Sequence, residues 1–292
     1  RQVAAVALNA AGGLALGLAV SLKAFPAAMV AILPLTRRWK LAVWSLVGIV
    51  VWTLLVPGVL RGFQPTWRDT WAWGERIVFP YFRGGEKVQW DEKGVSIRNI
   101  SLWGQVHRFT RPVDALDAVI RDREDPRQLY VNVVSVSPKT ASLIFLAVLA
   151  AIAAAIAAVC LRRPPPGRLP AAVDLSIAML FVLLATPIAW MYFYSLLLLP
   201  ALTLAALMWE HYMKPMGWLA AIALIDAALL MVASALPAVQ ALGGPMWVAL
   251  GWLIVLLVVR GKMPRPARPA AESEPLLTPA PQEPSAPQPV LP

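Results

Sequence analysis

The sequence predicts an all-α, polytopic membrane protein, and three observations carry that expectation. Apolar residues make up 59% of the 292 positions and mean hydropathy is +0.65. Charged residues reach only 14%, where a soluble domain carries roughly 25%. The apolar residues also run in long uninterrupted blocks instead of amphipathic stripes, as a bilayer requires.

The elements follow in order. Val3 to Leu22 is an uncharged span rich in Ala and Gly, closed by Lys23. A short block from Phe25 to Leu35 follows, broken by Pro26 and Pro34. Eleven helical residues rise about 16 Å, half a hydrocarbon core, so Lys23-Ala-Phe-Pro26 reads as the turn between a full helix and a half helix. Thr36 to Lys40 is a basic loop, and Leu41 to Leu60 spans again. Arg61 to Lys139 forms the long hydrophilic interval, with 13 basic and 10 acidic residues. Within it Trp67, Trp71, Trp73, Phe79, Tyr81 and Phe82 suit a segment lying at the membrane interface. From Ser101 to Ile120 a helix interrupted at Pro112 is expected. Ala141 to Leu161, Ala171 to Trp190, Tyr192 to Met208, Gly217 to Leu236 and Pro245 to Val259 complete the spans. Past Arg260 the chain turns rich in Pro, Ala and Glu, the composition of a disordered tail. The expected organisation is 1–60 membrane helices with a half helix, 61–139 external loop with interfacial helices, 140–260 membrane helices, and 261–292 tail.

Charge placement sets the expected orientation. With Thr36–Lys40 in the cytoplasm, alternation puts 162–168, 209–215 and the tail there too, and all carry Lys or Arg. The short loops left outside, near 190–192 and 237–244, carry none. That is the positive-inside pattern, and it turns 61–139 outward, at the cell membrane's outer face. The net charge of +10 is therefore an anchoring pattern: no basic stripe interleaved with aromatics suggests nucleic acid. One cysteine, Cys160 in an apolar run, excludes a disulfide framework and a thiol metal site. No cofactor or metal is expected. The chain starts at Arg1 and enters an apolar segment at once, which reads as a fragment or a sequence lacking its true start.

The stretch that most demands explanation is Asn99-Ile-Ser-Leu-Trp-Gly-Gln-Val-His-Arg108, a polar motif inside the long interval. Together with Ala11-Gly-Gly-Leu-Ala-Leu-Gly17 leading to Lys23-Ala-Phe-Pro26, and with Leu184-Ala-Thr-Pro187-Ile-Ala-Trp190-Met-Tyr192, it resembles glycosyltransferase family 87. These are bacterial polyprenol-phosphate-mannose-dependent mannosyltransferases. The three pieces are similar to the family's Gly-rich helix ending in Lys-x-x-Pro, its Asn-Gln-Ser-Leu-x-Gly-x-x-x-Arg, and its Ser-Pro-x-Ser-Trp-Asp-His-Tyr. Ile100 stands where the family has Gln, and Met191-Tyr192 where it has Asp-His.

The resemblance implies a GT-C-like helical bundle with one large external loop. It also implies transfer, with inversion, of a hexose, mannose in the family, from a polyprenyl-phosphate donor to a glycolipid or cell-envelope glycan. The family's general base is an aspartate on the first external loop, expected upstream of residue 1, so no catalytic base is assigned. Asp91 and Glu92 are external carboxylates that nothing selects for that role.

Chemistry narrows the other candidates. Displacing a polyprenyl phosphate calls for cations or donors at the phosphate, and arginine's fork fits phosphate oxygens. Arg108, Lys23 and His107 are the candidates. Their alternatives are a solvated charge, a snorkelling lysine and a structural histidine. Asn99 and Ser101 are candidate sugar or acceptor contacts, Ser101 equally a helix N-cap. Trp103, Trp190 and Tyr192 could stack on sugar faces or belong to the interfacial belt. Asp226, a carboxylate inside an apolar span, is expected to be hydrogen-bonded within the fold. The rival reading is a transporter or lipid flippase, which would not need the Asn99–Arg108 motif.

Overall fold

The structure is a computed structural model and describes residues 2–24, 26–75, 95–116, 128–162, 167–211 and 214–263. Phe79, Tyr81, Phe82, Asp91, Glu92 and the tail beyond 263 lie outside the described residues, as does the Tyr192 side chain. The described chain is α-helical: α1 (Gln2–Leu22), α2 (Ala27–Ile32), α3 (Trp39–Arg61), α4 (Phe63–Trp73), α5 (Leu102–Thr110), α6 (Pro138–Cys160), α7 (Arg168–Ala185), α8 (Leu198–Glu210), α9 (Pro215–Ala233), α10 (Pro237–Ala241) and α11 (Gly244–Lys262). A 3-10 turn, Met191–Leu197, leads into α8. Six of these helices, counting α8 with part of that turn, are long and apolar enough to cross a bilayer, and α1 adds the apolar stretch Val6–Leu22. The protein is an all-α polytopic membrane protein.

Lipid offers helices no hydrophobic reason to associate, so close packing has to supply the attraction. α1 and α3 achieve it with glycine. A Cβ on Gly13 would stand 2.3 Å from Trp44 Cβ, and one on Gly17 would stand 2.4 Å from the Gly48 carbonyl carbon. The two backbones therefore touch, and Trp52 Nε1–H donates to the Leu14 carbonyl at 3.1 Å across the same seam. Midway along α3 the ladder opens into one π turn, Val51–Leu55. Pro57 follows it and has no N–H to return to the preceding turn, which accounts for the loosened register.

The core centres on α7 and α11. Just over half of each spanning window is buried (56%), against 17% for α3, α6 and α9. Ile177, Leu180, Leu183 and Leu184 of α7 pack with Met246, Leu253 and Leu256 of α11, and Ile32 of α2 brings the α1–α3 pair to this core. Ser176 Oγ and Thr203 Oγ1 meet at 2.9 Å between α7 and α8, and Trp252 Nε1–H donates to Ala223 O at 3.0 Å between α11 and α9.

The basic loops gather at one end. Arg260 Nε lies 2.7 Å from Asp174 Oδ1, both side chains 3% exposed, and Arg260 Nη2 donates to Arg162 O at 2.8 Å. Arg37, held at φ 60°, donates to Leu161 O. Two guanidinium groups thus complement the C-terminal carbonyls of α6, where the helix dipole favours positive charge.

One boundary departs from the sequence reading, and another falls at the proline expected to interrupt its helix. α7 stops at Ala185 instead of running to Trp190, because Pro187 disfavours helical backbone at Thr186, which is extended (φ −71°, ψ 125°). The helix expected over Ser101–Ile120 with an interruption at Pro112 runs Leu102–Thr110 among the described residues and ends at extended Arg111, the residue before Pro112; residues 117–120 lie outside the described ones. Both stops free extended backbone at the end opposite the basic loops, and the candidate site is built from it.

Candidate functional site

At that end the polar motif and the Thr186–Trp190 segment are joined backbone to backbone. Ile100 N–H donates to Ala189 O at 2.9 Å. Asn99 closes the junction: its Oδ1 accepts from Ala189 N–H at 2.9 Å and Ser101 N–H at 3.2 Å, while its Nδ2 donates to Pro187 O at 3.0 Å. Ser101 Oγ donates to the same carbonyl at 2.8 Å and accepts from Gly104 N–H at 2.9 Å, capping α5. Tyr194 adds a further tie, its hydroxyl donating to Ile100 O at 2.9 Å. Two motifs some ninety residues apart in the chain thus form one unit.

Arg108 lies at the centre of this unit and is fully buried, with 0% exposure. Its Nε donates to Ala241 O at 3.0 Å. Nη1 serves Val95 O, Ser96 O and Asn99 O at 3.2, 2.8 and 2.9 Å, and Nη2 serves Gln105 Oε1 at 2.7 Å. The guanidinium therefore braces the 95–99 turn, its own helix and the end of α10. Burial pulls its pKa down to about 10, so it stays a cation at neutral pH, shared among carbonyl dipoles. Arg108, expected at a donor phosphate, is here engaged wholly within the protein. Four of its five acceptors are backbone carbonyls already engaged, and no surface of the side chain is left for a ligand.

His107 is likewise internal. Arg111 Nη1 approaches Nδ1 at 3.1 Å, and since arginine only donates, Nδ1 accepts and Nε2 carries the proton toward Ser142 Oγ at 3.3 Å. Trp103 stacks on the ring with centroids 3.9 Å apart. Burial first, and then the Arg111 charge, hold the His107 pKa down to about 3. His107 is thus a neutral strut between α5 and α6, with half-buried Trp103 stacked on it.

The sign of the resulting pH effect follows from linkage. Above pH 6.5 the imidazole is neutral in folded and unfolded chains alike, and its full contribution is present. As pH falls from 6.5 toward 3 only the unfolded state takes up the proton, so stability is lost, by roughly 2 kcal/mol at pH 5. Thermal melts at pH 7 and pH 5 should show that loss in the parent and a reduced loss in His107→Gln. An identical slope in both would show that the imidazole is not the group responsible.

The groups left accessible are different ones. Lys23, at the end of α1, is exposed and stands 5.4 Å from the Phe193 ring centroid, in cation–π contact with the turn after Trp190. Trp190 is 41% exposed. Arg98, a residue the motif reading passed over, is exposed on the turn that Arg108 braces. All three initial motifs thus converge at one end, with Lys23 as the contribution of the first. Gln105 and Gly243 were also missed: a Cβ on Gly243 (φ +79°) would stand 2.4 Å from Gln105 Oε1, and Gln105 Nε2 has no hydrogen-bond partner. No spacing rule links positions 138 residues apart, so the sequence carried no signal for that contact. Ile97, Ala115 and Ala241, with Leu116, Leu129 and Val131 packed against them, form a small separate core beneath this end. The carboxylate there, Asp114, is occupied, its Oδ1 accepting from Leu116 and Leu129 N–H. Among the described residues no three His, Cys, Asp or Glu side chains come together as metal ligands would.

The Asn99–Arg108 motif and the Pro187 carbonyl it holds fall within the segment matched by one family model, that of glycosyltransferase family 87, over residues 2–187. That segment is well over half of the chain, with Ala189 and Tyr194 just past its end. The chain belongs to glycosyltransferase family 87. No curated protein and no solved structure matches it. As a family 87 member it is a multi-pass membrane glycosyltransferase, acting on a sugar donor and an acceptor in a membrane setting. The family 87 match takes in the Gly-rich helix, Lys23 and the whole Asn99–Arg108 motif, and it ends on Pro187, the carbonyl that Asn99 and Ser101 both hold.

Proposed function

We propose that the protein transfers mannose from a polyprenyl-phosphate donor to a glycolipid or cell-envelope glycan, at the outer face of the cell membrane, on a GT-C-like bundle. Family membership and the convergence of Lys23 and Trp190 beside the Asn99–Pro187 junction support this reading. A lipid-linked phosphate arrives laterally, at headgroup depth, which is where a lysine ending an apolar helix is held. Lys23 stabilises the phosphate as its charge grows, and Arg98 is a second cation at the same end. Trp190 offers an exposed aromatic face to the sugar or to the headgroup layer. Asn99, Ser101 and Arg108 act through the backbone they hold, and His107 through Arg111 and Ser142, as positioning residues. An acceptor oxygen attacks the anomeric carbon, the bond to the phosphate oxygen breaks, and the anomeric centre inverts. The positive-inside charge pattern supports placing this end outside.

The test is sugar transfer in membranes from labelled polyprenyl-phosphate mannose to a lipid acceptor extract. Parent protein is expected to label the acceptor, and Lys23→Ala to lower the rate roughly tenfold to a hundredfold with its melting temperature unchanged. Absence of transfer by the parent from this donor would overturn the donor assignment. A Lys23→Ala rate equal to the parent's would remove Lys23 from the phosphate site.

A further inference from the structure

We propose that the outward face of α9 docks a transmembrane helix of a partner membrane protein that carries a lysine or arginine opposite Asp226. The face is defined by Trp218, Ile222, Ile225, Leu229 and Val232, exposed by 59, 61, 62, 65 and 77%. Their spacing of four, three, four, three places them in one continuous seam along the outward side of α9, the geometry a second helix could pack along.

Asp226 is the second observation. It is exposed, one residue past Ile225, and seven residues before α9 ends at Ala233. That places it about 10 Å inside the spanning segment. Intramembrane carboxylates face a protein partner or a watery cavity because hydrocarbon solvates them poorly. Among the described residues none pairs with Asp226, contrary to the expected internal hydrogen bond, and the side chain points away from the bundle. It flanks the seam at the position where coiled coils place charges that choose their partner.

The choice of occupant follows from the opposite flank. In a parallel pair of α9 helices the position facing Asp226 would be filled by Ala221 or Ala228 of the second copy. Neither can donate a hydrogen bond, so a second copy leaves the carboxylate unsatisfied. A different helix with a basic side chain at that register satisfies it. α9 also lies beyond residues 2–187, outside the segment shared with family 87.

The experiment places a photoreactive phenylalanine analogue at Leu229 of the full chain in native membranes. A control carries it at Leu143, which is 57% exposed on α6. The expected result is one discrete protein adduct from Leu229 and none from Leu143. Sequencing of the adduct should find a membrane-spanning peptide with Lys or Arg within one turn of the cross-link. Asp226→Asn should cut the yield at least fivefold while Asp226→Glu retains it, and both should keep the parent's transferase activity as the check on folding. Asp226→Lys should abolish the adduct, and exchanging the partner's cation for aspartate should restore it. An adduct with a second copy, lipid adducts alone, a cross-linked helix without a cation, or an Asp226→Asn yield equal to the parent's would each overturn the proposal.

Discussion

Arg108→Ala is expected to lower the melting temperature of the purified protein by roughly 10–20 °C, and to abolish sugar transfer with it. The substitution strips hydrogen bonds from the carbonyls of Val95, Ser96, Asn99 and Ala241 and from Gln105 Oε1, all turned toward a fully buried side chain. A buried acceptor left without a donor costs about 1–3 kcal/mol. Even with partial relaxation, five such acceptors bring the total to about 5 kcal/mol. Arg108→Lys should recover little of it, since one ammonium cannot reproduce a fork spanning three segments. Differential scanning fluorimetry in detergent and the transfer assay, run on the same preparations, separate two roles. A brace loses stability and activity together. A melting temperature within about 2 °C of the parent, with transfer lost, would return Arg108 to direct contact with the donor.

The second large effect is expected at the α1–α3 crossing. Gly17→Leu puts a side chain where even a Cβ would stand 2.4 Å from the Gly48 carbonyl carbon, against backbone that cannot rotate away. The helices must part, losing the Trp52–Leu14 bond and shifting Lys23 away from Phe193. Overpacking of this kind costs about 3 kcal/mol or more. Transfer should fall at least about tenfold, the rate change that 1.4 kcal/mol at the barrier produces. Gly12→Ala is the control, because its Cβ would meet only Leu41 Cδ1, at an ordinary 3.4 Å. If Gly17→Leu retains the parent's rate and yield, the glycine crossing does not position Lys23.

How far the fold could be read in advance depended on the kind of force involved. The spans were legible because a bilayer imposes a length and an apolar composition on every crossing. Pro112 was legible as an interruption, whereas the apolar run around Pro187 carried the expected span past it to Trp190. The position of the candidate site was legible too, since Asn99–Arg108 was polar where the scaffold had no need of polarity. The roles inside it were not. An arginine in a loop and an arginine saturated by carbonyls from three segments have the same local sequence. What separates them is Ala241, 133 residues away. His107 shows the same limit: its neutrality depends on burial against Trp103 and on Arg111, which composition does not reveal. Asp226 shows it in the opposite direction, since an apolar span says that a carboxylate is costly there but not which way it points.

The sequence by itself determined that this protein is a helical membrane protein, through block hydropathy and charge at the loop ends, and that it belongs to glycosyltransferase family 87, through its motifs and the family match over residues 2–187. Those are local properties, set by the solvent each segment must tolerate. Only the tertiary structure decided which polar residues are tied into the candidate site and which face outward. Donors and acceptors find their partners across the chain, and a buried cation takes its role from the carbonyls that surround it, at distances no local pattern encodes.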